Sequence, residues 1–126
     1  SDKLLFTSGS AVVSHKANSL LKKLADIINS EPAMEVLIEG HTDSQRVKAD
    51  AAVRDNWELS VRRSTAVIRK LQDEYKVNPE QLIAAGRSSY MPIANNETAE
   101  GRAKNRRTRI VILPHLDKFL AMLTEE

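Results

Sequence analysis

Short apolar runs alternate along this chain with segments in which apolar residues recur at helical spacing. Each short run is closed by glycine, proline or polar residues, as is typical of buried β-strands. These runs predict strands at residues 4–6, 36–38, 82–86 and 110–113. The longer periodic segments carry charged residues on their opposite face, so they predict amphipathic helices.

Two main helices are predicted, and both have recognisable ends. The first follows Ser14, a good N-cap residue, and ends before Pro32. Its apolar face is expected to comprise Ala17, Leu20, Leu21, Leu24, Ile27 and Ile28. The second begins at Asp55, with Glu58 three residues later as in a capping box. Its inner face is expected to comprise Val61, Ser64, Val67, Ile68, Leu71 and Tyr75.

The order of these elements predicts the fold. Strand–helix–strand–helix–strand with short crossovers implies parallel pairing through right-handed units. The last strand follows a long loop and could lie in either direction. We expect an α/β (α+β) two-layer sandwich with a mixed four-stranded sheet, two main helices on one face and a short C-terminal helix at about residues 115–124. The 126 residues, 1–126, are expected to form a single domain.

The composition excludes several classes of protein. The formal net charge of +2 is too small to indicate nucleic-acid binding unless the basic residues cluster. Because there is no cysteine, the chain cannot form a disulfide, a thiolate nucleophile or a cysteine-based zinc site. No apolar run approaches the roughly 18 residues that span a bilayer. The sequence neither begins with Met nor resembles a signal peptide, so we expect a fragment of a longer protein.

Polar residues follow directly on the second predicted strand. Gly40 lets the backbone leave the sheet or be approached closely, and Asp43 then lies beyond the strand's carboxyl end, where open α/β sheets place ligands. Arg63 lies about two turns into the second helix, where its planar fork and the helix N-terminus both suit a carboxylate. A carboxylate opposite a guanidinium matches a zwitterion such as an amino acid. The alternative is an internal Asp43–Arg63 salt bridge, because such pairs are common.

Other chemistry at this segment has less support. His41 and Asp43 could suggest a metal, but no further ligand pattern supports zinc, so we expect neither metal nor cofactor. His41 is expected instead to hydrogen-bond the turn. The segment lacks the frame around a nucleophilic serine and has no suitably paired carboxylates.

Two further features have ordinary interpretations. The basic segment 102–109 lacks the interleaved aromatic residues of a single-strand binder, so we expect a solvated strand face or support for a neighbouring acidic site. Trp57, the only tryptophan, is expected to anchor the second helix to the core, the alternative being a lid over the strand-end site.

Four motifs in order resemble those of the OmpA-like domain, the peptidoglycan-binding module shared by OmpA, the Pal lipoproteins and the flagellar stator protein MotB. They are Phe6 with the turn at 8–10, GHTD at 40–43, NWELSVRR at 56–63 and GRAKNRR at 101–107. The resemblance covers about residues 4–113. The long linker before Asn56 is similar to that of MotB-like members, and Ser64 stands where the family usually has alanine.

The resemblance implies a noncatalytic domain that binds the diaminopimelate residue of the peptidoglycan stem peptide. By the family motifs, Asp43 would accept the ammonium group, and Arg63 rather than Arg62 would bind the carboxylate. The assisting positions would be Asn56, Thr42 at the turn and Leu59 through a backbone contact. The residues expected to support the site are His41, Gly40, Asn105 and Arg106.

The resemblance also implies a location on the periplasmic side of the bacterial cell envelope. We expect a membrane contact only through a segment absent from this sequence, peptidoglycan but not nucleic acid as partner, and a chain that could form a homodimer. Two alternatives stay open. One is a cell-wall amidase or peptidase that uses His41 and Asp43, and the other is a protein- or nucleic-acid-interaction module that uses residues 102–109.

Overall fold

The structure, a computed structural model, describes residues 17–49, 51–113 and 123–124. The predicted strand at residues 4–6 and the predicted N-cap Ser14 lie outside the described residues. Of the predicted C-terminal helix, only residues 123 and 124 are described, and both are helical.

The sheet has its most buried strand at the centre. Strand β1 (Glu35–His41) pairs in parallel with β2 (Leu82–Gly86) and antiparallel with β3 (Arg107–Leu113), which gives the order β2-β1-β3. The parallel pairing is as predicted, and the antiparallel β3 settles the direction that the sequence left open. The described residues form three strands rather than the predicted four, and β3 begins three residues earlier than expected.

Helix α1 (Asn18–Ser30) covers the sheet with a narrower apolar face than predicted. Leu21, Ala25 and Ile28 are buried against Val36 and Ile38 of β1. The two other apolar positions at the edge of this face are exposed, Leu20 by 45% and Ile27 by 53%. The prediction that they belong to the core was therefore wrong. The spacing of apolar residues shows which side of the helix is buried, but it does not show how wide the buried side is.

Helix α2 (Asn56–Asp73) begins as the sequence predicts. The Asp55 carboxylate accepts a hydrogen bond from the Glu58 amide at 2.9 Å, and the Glu58 carboxylate accepts one from the Arg54 amide at 3.2 Å. Its inner face is partly different from the prediction, since Val61 is 41% exposed. The buried positions of this helix are Leu59, Ser60, Arg63, Ser64, Val67 and Leu71.

The first half of α2 lies directly on β1. A side chain at Gly40 would overlap the Ser60 carbonyl oxygen, so only glycine permits this approach. The Ser64 hydroxyl donates to the Ile38 carbonyl oxygen at 2.5 Å and accepts from the Ala85 amide at 3.3 Å. These contacts place the N-terminal turns of α2 beside the carboxyl end of β1.

Two short helical segments flank β2. The turn at Pro79–Gln81 starts at Asn78, whose side chain accepts from the Glu80 amide, and leads into β2. Helix α3 (Ala99–Asn105) lies in a stretch that the sequence indicated as loop and basic segment. Its cap is the Thr98 hydroxyl, which accepts from the Gly101 amide at 3.0 Å. A helix this short shows too little periodicity to be recognised in the sequence.

We expect Gly40→Ala to destabilise the fold more than Gly86→Ala. These two glycines are cross-strand partners facing Ser60. A new side chain at Gly40 would overlap the Ser60 carbonyl oxygen, whereas at Gly86 it would meet the side-chain atoms Ser60 Oγ and Val61 Cγ2 at 2.5 Å and, less closely, the Val61 backbone nitrogen at 2.8 Å. Side chains rotate away more readily than helix backbone moves, so Gly40→Ala should cost about 3 kcal/mol and Gly86→Ala less. Urea denaturation measures both, and equal losses would contradict the explanation.

Candidate functional site

A cavity of about 370 Å³ opens at the carboxyl end of β1, beside the first turns of α2. All five residues predicted to bind the ligand line it, together with one of the supporting residues. They are Thr42, Asp43, Asn56, Leu59, Arg63 and Arg106. The structure therefore brings together residues from three separate sequence motifs.

Asp43 is held in place from both sides of its carboxylate. One oxygen accepts from the Gln45 amide at 2.9 Å, and the other accepts from Arg106 Nη1 at 2.7 Å. Asp43 is only 6% exposed, so this ion pair is largely shielded from water. The neighbouring turn is also fixed, because the Thr42 amide donates to the Ser88 carbonyl oxygen at 2.9 Å. The ion pair shown for Asp43 is thus with Arg106, whereas the internal pair that the sequence left open as an alternative was with Arg63.

Arg63 has the largest fully buried side chain among the described residues and is 1% exposed. Its neighbour Arg62 lies on the outer side of α2, where it pairs with Glu58 at 2.7 Å and keeps half of its side chain exposed. The helix therefore presents Arg63, and not Arg62, to the cavity, which is the register that the sequence motif implies. A guanidinium withdrawn from water in this way is a strong attractor for a carboxylate.

Asn56 and Leu59 have structural as well as lining roles. The Asn56 side-chain amide donates to the Gln45 carbonyl oxygen at 2.9 Å and so holds the start of the linker against α2. The Leu59 amide donates within its own helix, to the Asp55 carbonyl oxygen at 2.9 Å. Leu59 therefore offers the cavity an apolar side chain, while its N–H group is already used.

Asn105 lies outside the cavity but positions Arg106. Its fully buried side chain accepts from the Ile93 and Ala94 amides at 2.7 and 3.0 Å. It also donates to the Ala94 carbonyl oxygen at 2.9 Å and to the Asn96 side chain at 2.7 Å. These bonds join the end of α3 to the preceding loop. They thereby hold the backbone from which the next residue, Arg106, reaches Asp43.

The linker between β1 and α2 contributes lining residues that the sequence analysis did not identify. They are Gln45, Arg46, Val47, Lys48, Ala51 and Val53. The unusual length of this linker and its basic residues were the available signal. With Arg63 and Arg106, the cavity lining carries four cationic side chains and one carboxylate, so it favours a ligand with more negative than positive groups.

His41 and Glu39 lie on the opposite face of the sheet from α2, since side chains alternate along a strand. His41 Nε2 donates to Glu39 at 2.6 Å, and Arg87 and Arg109 approach the same carboxylate at 3.3 and 3.7 Å. The sequence suggested that His41 hydrogen-bonds the turn, but His41 bonds instead to Glu39, two residues earlier on the same strand. Both residues are buried, and neither lines the cavity.

The environment of this pair lowers both pKa values. For His41, burial is the main cause of the lowered pKa, and the Arg107 and Arg87 charges add to it against the opposing bond to Glu39. For Glu39, burial by itself would raise the pKa, but the bonds from His41 and Arg87 hold it below its ordinary value. The folded protein thus keeps a neutral imidazole next to a carboxylate.

The basic segment 102–109 does not form one patch. Arg102 donates to the Asn96 carbonyl oxygen at 3.0 Å, Arg106 lies in the cavity, and Arg107 donates to the Met91 carbonyl oxygen at 2.9 Å. The arginines are therefore distributed over separate internal contacts, which does not favour the nucleic-acid alternative.

Trp57 is 51% exposed and does not anchor α2 to the core, so that prediction was wrong. Its ring contacts the ring of Tyr90, with centroids 5.4 Å apart.

In the part of the chain that the structure describes, no helix is both long and apolar enough to cross a membrane. The same residues contain no group of three or more side chains suited to a metal ion.

We expect the stability of the protein to fall as the pH is lowered from about 6.5, and His41 to be one cause. Because its pKa in the folded state lies below the ordinary value of 6.5, the unfolded chain binds the proton first in this range. The lowered pKa of Glu39 removes further stability only below its ordinary value of 4.5.

The variant His41→Gln tests this explanation. It keeps a hydrogen-bond donor but cannot titrate, so its urea midpoint should change less than that of the parent between pH 7 and pH 5. Any contribution from the two other histidines is common to both proteins. Parallel pH profiles for parent and variant would show that His41 is not responsible.

The sequence and the fold were found to be similar to those of known proteins. Residues 5–106 match the OmpA family. The chain is 35% identical to motility protein B of Bacillus subtilis (strain 168) over 113 residues, which cover 90% of this chain and 43% of that protein. It is 36% identical over 93 residues to the peptidoglycan-binding protein ArfA of Mycobacterium bovis, with 74% of this chain and 27% of that protein covered.

The periplasmic domain of Helicobacter pylori MotB has the same fold. Its crystal structure superposes with a TM-score of 0.81 at 28% identity, covering 97% of this chain and 80% of that one. The chain spans less than half the length of the two curated relatives. Because the family match extends over residues 5–106, this chain belongs to the OmpA family.

Proposed function

We propose that this domain binds peptidoglycan without catalysis, by holding the diaminopimelate residue of the stem peptide between Asp43 and Arg63. The observation that carries the proposal is that one cavity is lined by both a shielded carboxylate and a buried guanidinium. Diaminopimelate in the stem has a free ammonium and a free carboxylate on the same side-chain carbon. These two groups match the Asp43 carboxylate and the Arg63 guanidinium.

The ion pair with Arg106 is compatible with this role of Asp43. A carboxylate has about four lone-pair positions, and the Gln45 amide and Arg106 account for one on each oxygen. A ligand ammonium can therefore bind alongside them. The two existing bonds orient the carboxylate before the ligand arrives, which lowers the entropy lost on binding.

The excess of cationic residues around the cavity supports a peptide of this kind. The stem carries further carboxylates besides the one assigned to Arg63, and Arg46 and Lys48 of the linker lie at the same cavity. Their side chains are more exposed than Arg63, so salt screens their attraction more strongly. We expect noncovalent affinity that is micromolar or weaker, because one zwitterion offers few contacts.

We propose further that the domain lies on the periplasmic side of the bacterial cell envelope and tethers a longer protein to the cell wall. Two observations support this: the relative of similar fold is a periplasmic domain, and another relative is named for peptidoglycan binding.

We expect Asp43→Asn and Arg63→Ala each to weaken binding of a diaminopimelate-containing stem peptide at least about tenfold. Each variant removes a charge-assisted hydrogen bond, which contributes roughly 1.5–3 kcal/mol, and 1.4 kcal/mol corresponds to a factor of ten. Calorimetric titration measures the affinities, and circular dichroism verifies the fold of each variant. The same stem with lysine in place of diaminopimelate lacks the terminal carboxylate and should bind about as weakly to the parent as diaminopimelate does to Arg63→Ala.

Arg62→Ala is the matched control, because it removes the adjacent arginine from the outer side of the same helix. It should change the affinity by less than about twofold, since exposed ion pairs contribute little. Equal losses for the two arginine variants, or unchanged binding after either site substitution in a folded protein, would overturn the assignment.

A further inference from the structure

Two aromatic rings stand exposed next to the proposed stem-peptide cavity. Trp57, in the first turn of α2, is 51% exposed, and Tyr90, in the loop after β2, is 67% exposed. Their ring centroids are 5.4 Å apart and their planes are inclined by 42°. Large aromatic side chains that remain in water are a common sign of a binding surface.

The pair lines a second cavity, of about 410 Å³, that shares part of its wall with the first. Arg46, Val47 and Asn56 line both cavities. The rest of its lining is polar and consists of Ser44, Arg54, Asp55, Ser88 and Ser89. It therefore combines an aromatic surface with several hydrogen-bonding groups.

The two rings come from distant parts of the chain but are held together. The Ser60 hydroxyl accepts from the Ser88 amide at 3.0 Å, and it donates to the Trp57 carbonyl oxygen at 2.9 Å. Since Ser60 and Ser88 are both buried, these bonds fix the start of the loop that carries Tyr90 against the first turn of α2. The aromatic pair is thus preorganised and does not depend on an exposed loop alone.

We infer that Trp57 and Tyr90 form a subsite for an N-acetylated amino-sugar ring of the glycan strand. The apolar C–H face of a pyranose ring stacks on aromatic rings, while its hydroxyl and acetamido groups need hydrogen-bonding partners such as those of the second cavity. This inference rests on the proposed function, because it takes the first cavity to hold the stem peptide.

The covalent structure of the ligand supports this arrangement. The stem peptide is attached directly to a sugar of the glycan strand, and each extended residue spans only ~3.3–3.6 Å. A diaminopimelate bound at Asp43 must therefore have a sugar ring within a few residues' length. The second cavity shares a wall with the first and lies within that range.

The test compares three ligands of the parent protein: a free diaminopimelate tripeptide, the same tripeptide on its disaccharide, and an N-acetylglucosamine tetrasaccharide. Trp57 is the only tryptophan, so its fluorescence reports on this subsite directly. We expect both sugar-containing ligands to change the emission. The disaccharide tripeptide should bind about tenfold more tightly than the free tripeptide, as expected for one well-stacked ring.

The variants then assign this gain to the aromatic pair. Trp57→Ala and Tyr90→Ala should remove the gain from the disaccharide and leave affinity for the free tripeptide unchanged, while Tyr90→Phe should retain most of it. Ile93→Ala is the matched control, because Ile93 is 64% exposed in the same loop but does not line the cavity. An equal loss in Ile93→Ala would indicate a general apolar surface for a protein partner and overturn the subsite.

The outcomes also separate this inference from the proposed function. Equal affinity for the two tripeptide ligands would overturn the sugar subsite while the stem cavity stands. If neither tripeptide ligand binds but the tetrasaccharide changes Trp57 emission, the stem assignment is wrong and the sugar subsite stands. If none of the three ligands binds, both are wrong.

Discussion

The close approach of helix α2 to strand β1 is the packing constraint on which the candidate site depends. It is possible because residue 40 is glycine, which leaves room for the Ser60 carbonyl oxygen. The buried hydroxyl of Ser64, bonded to the Ile38 carbonyl oxygen, lies one helical turn further along. Arg63 lies between these two serines on the buried side of α2. With the helix this close to the sheet, its side chain lines the cavity at the end of β1. A bulkier residue at position 40 would displace the helix and, with it, the guanidinium.

The carboxylate on the other side of the cavity is positioned by a different part of the chain. Asp43 is fixed by Arg106, which follows the buried side chain of Asn105 and its four hydrogen bonds. The Asp43 carboxylate is thus oriented before any ligand binds, and both it and the Arg63 guanidinium are withdrawn from water. The cationic residues of the linker add a longer-range attraction for negative groups. Hydrogen bonds and packing thus place the charged groups of the cavity, and the linker residues Arg46 and Lys48 make its lining more positive.

The errors of the sequence analysis share a physical cause. Leu20, Ile27 and Val61 have the spacing of core residues, yet all three are exposed. The periodicity of apolar residues shows which side of a helix faces the core, but the width of the buried face depends on how the helix packs on the sheet. Trp57 was assigned to the core by residue type, and its partner Tyr90 lies 33 positions away in a loop with no periodic signal. Helix α3 was missed because its capping and its buried Asn105 involve particular hydrogen bonds and no apolar pattern.

The sequence alone determined the strand and helix order, the parallel pairing of β1 with β2, the Asp55 cap and the placement of Asp43 at a strand end. These features depend on local pattern and on general rules of chain connection, which one sequence contains. Only the tertiary structure decided the direction of β3, the pairing of Asp43 with Arg106, the contribution of the linker to the cavity and the contact between Trp57 and Tyr90. Each of these joins residues that are distant along the chain, and their separation in space is decided by packing and buried hydrogen bonds that no local pattern records.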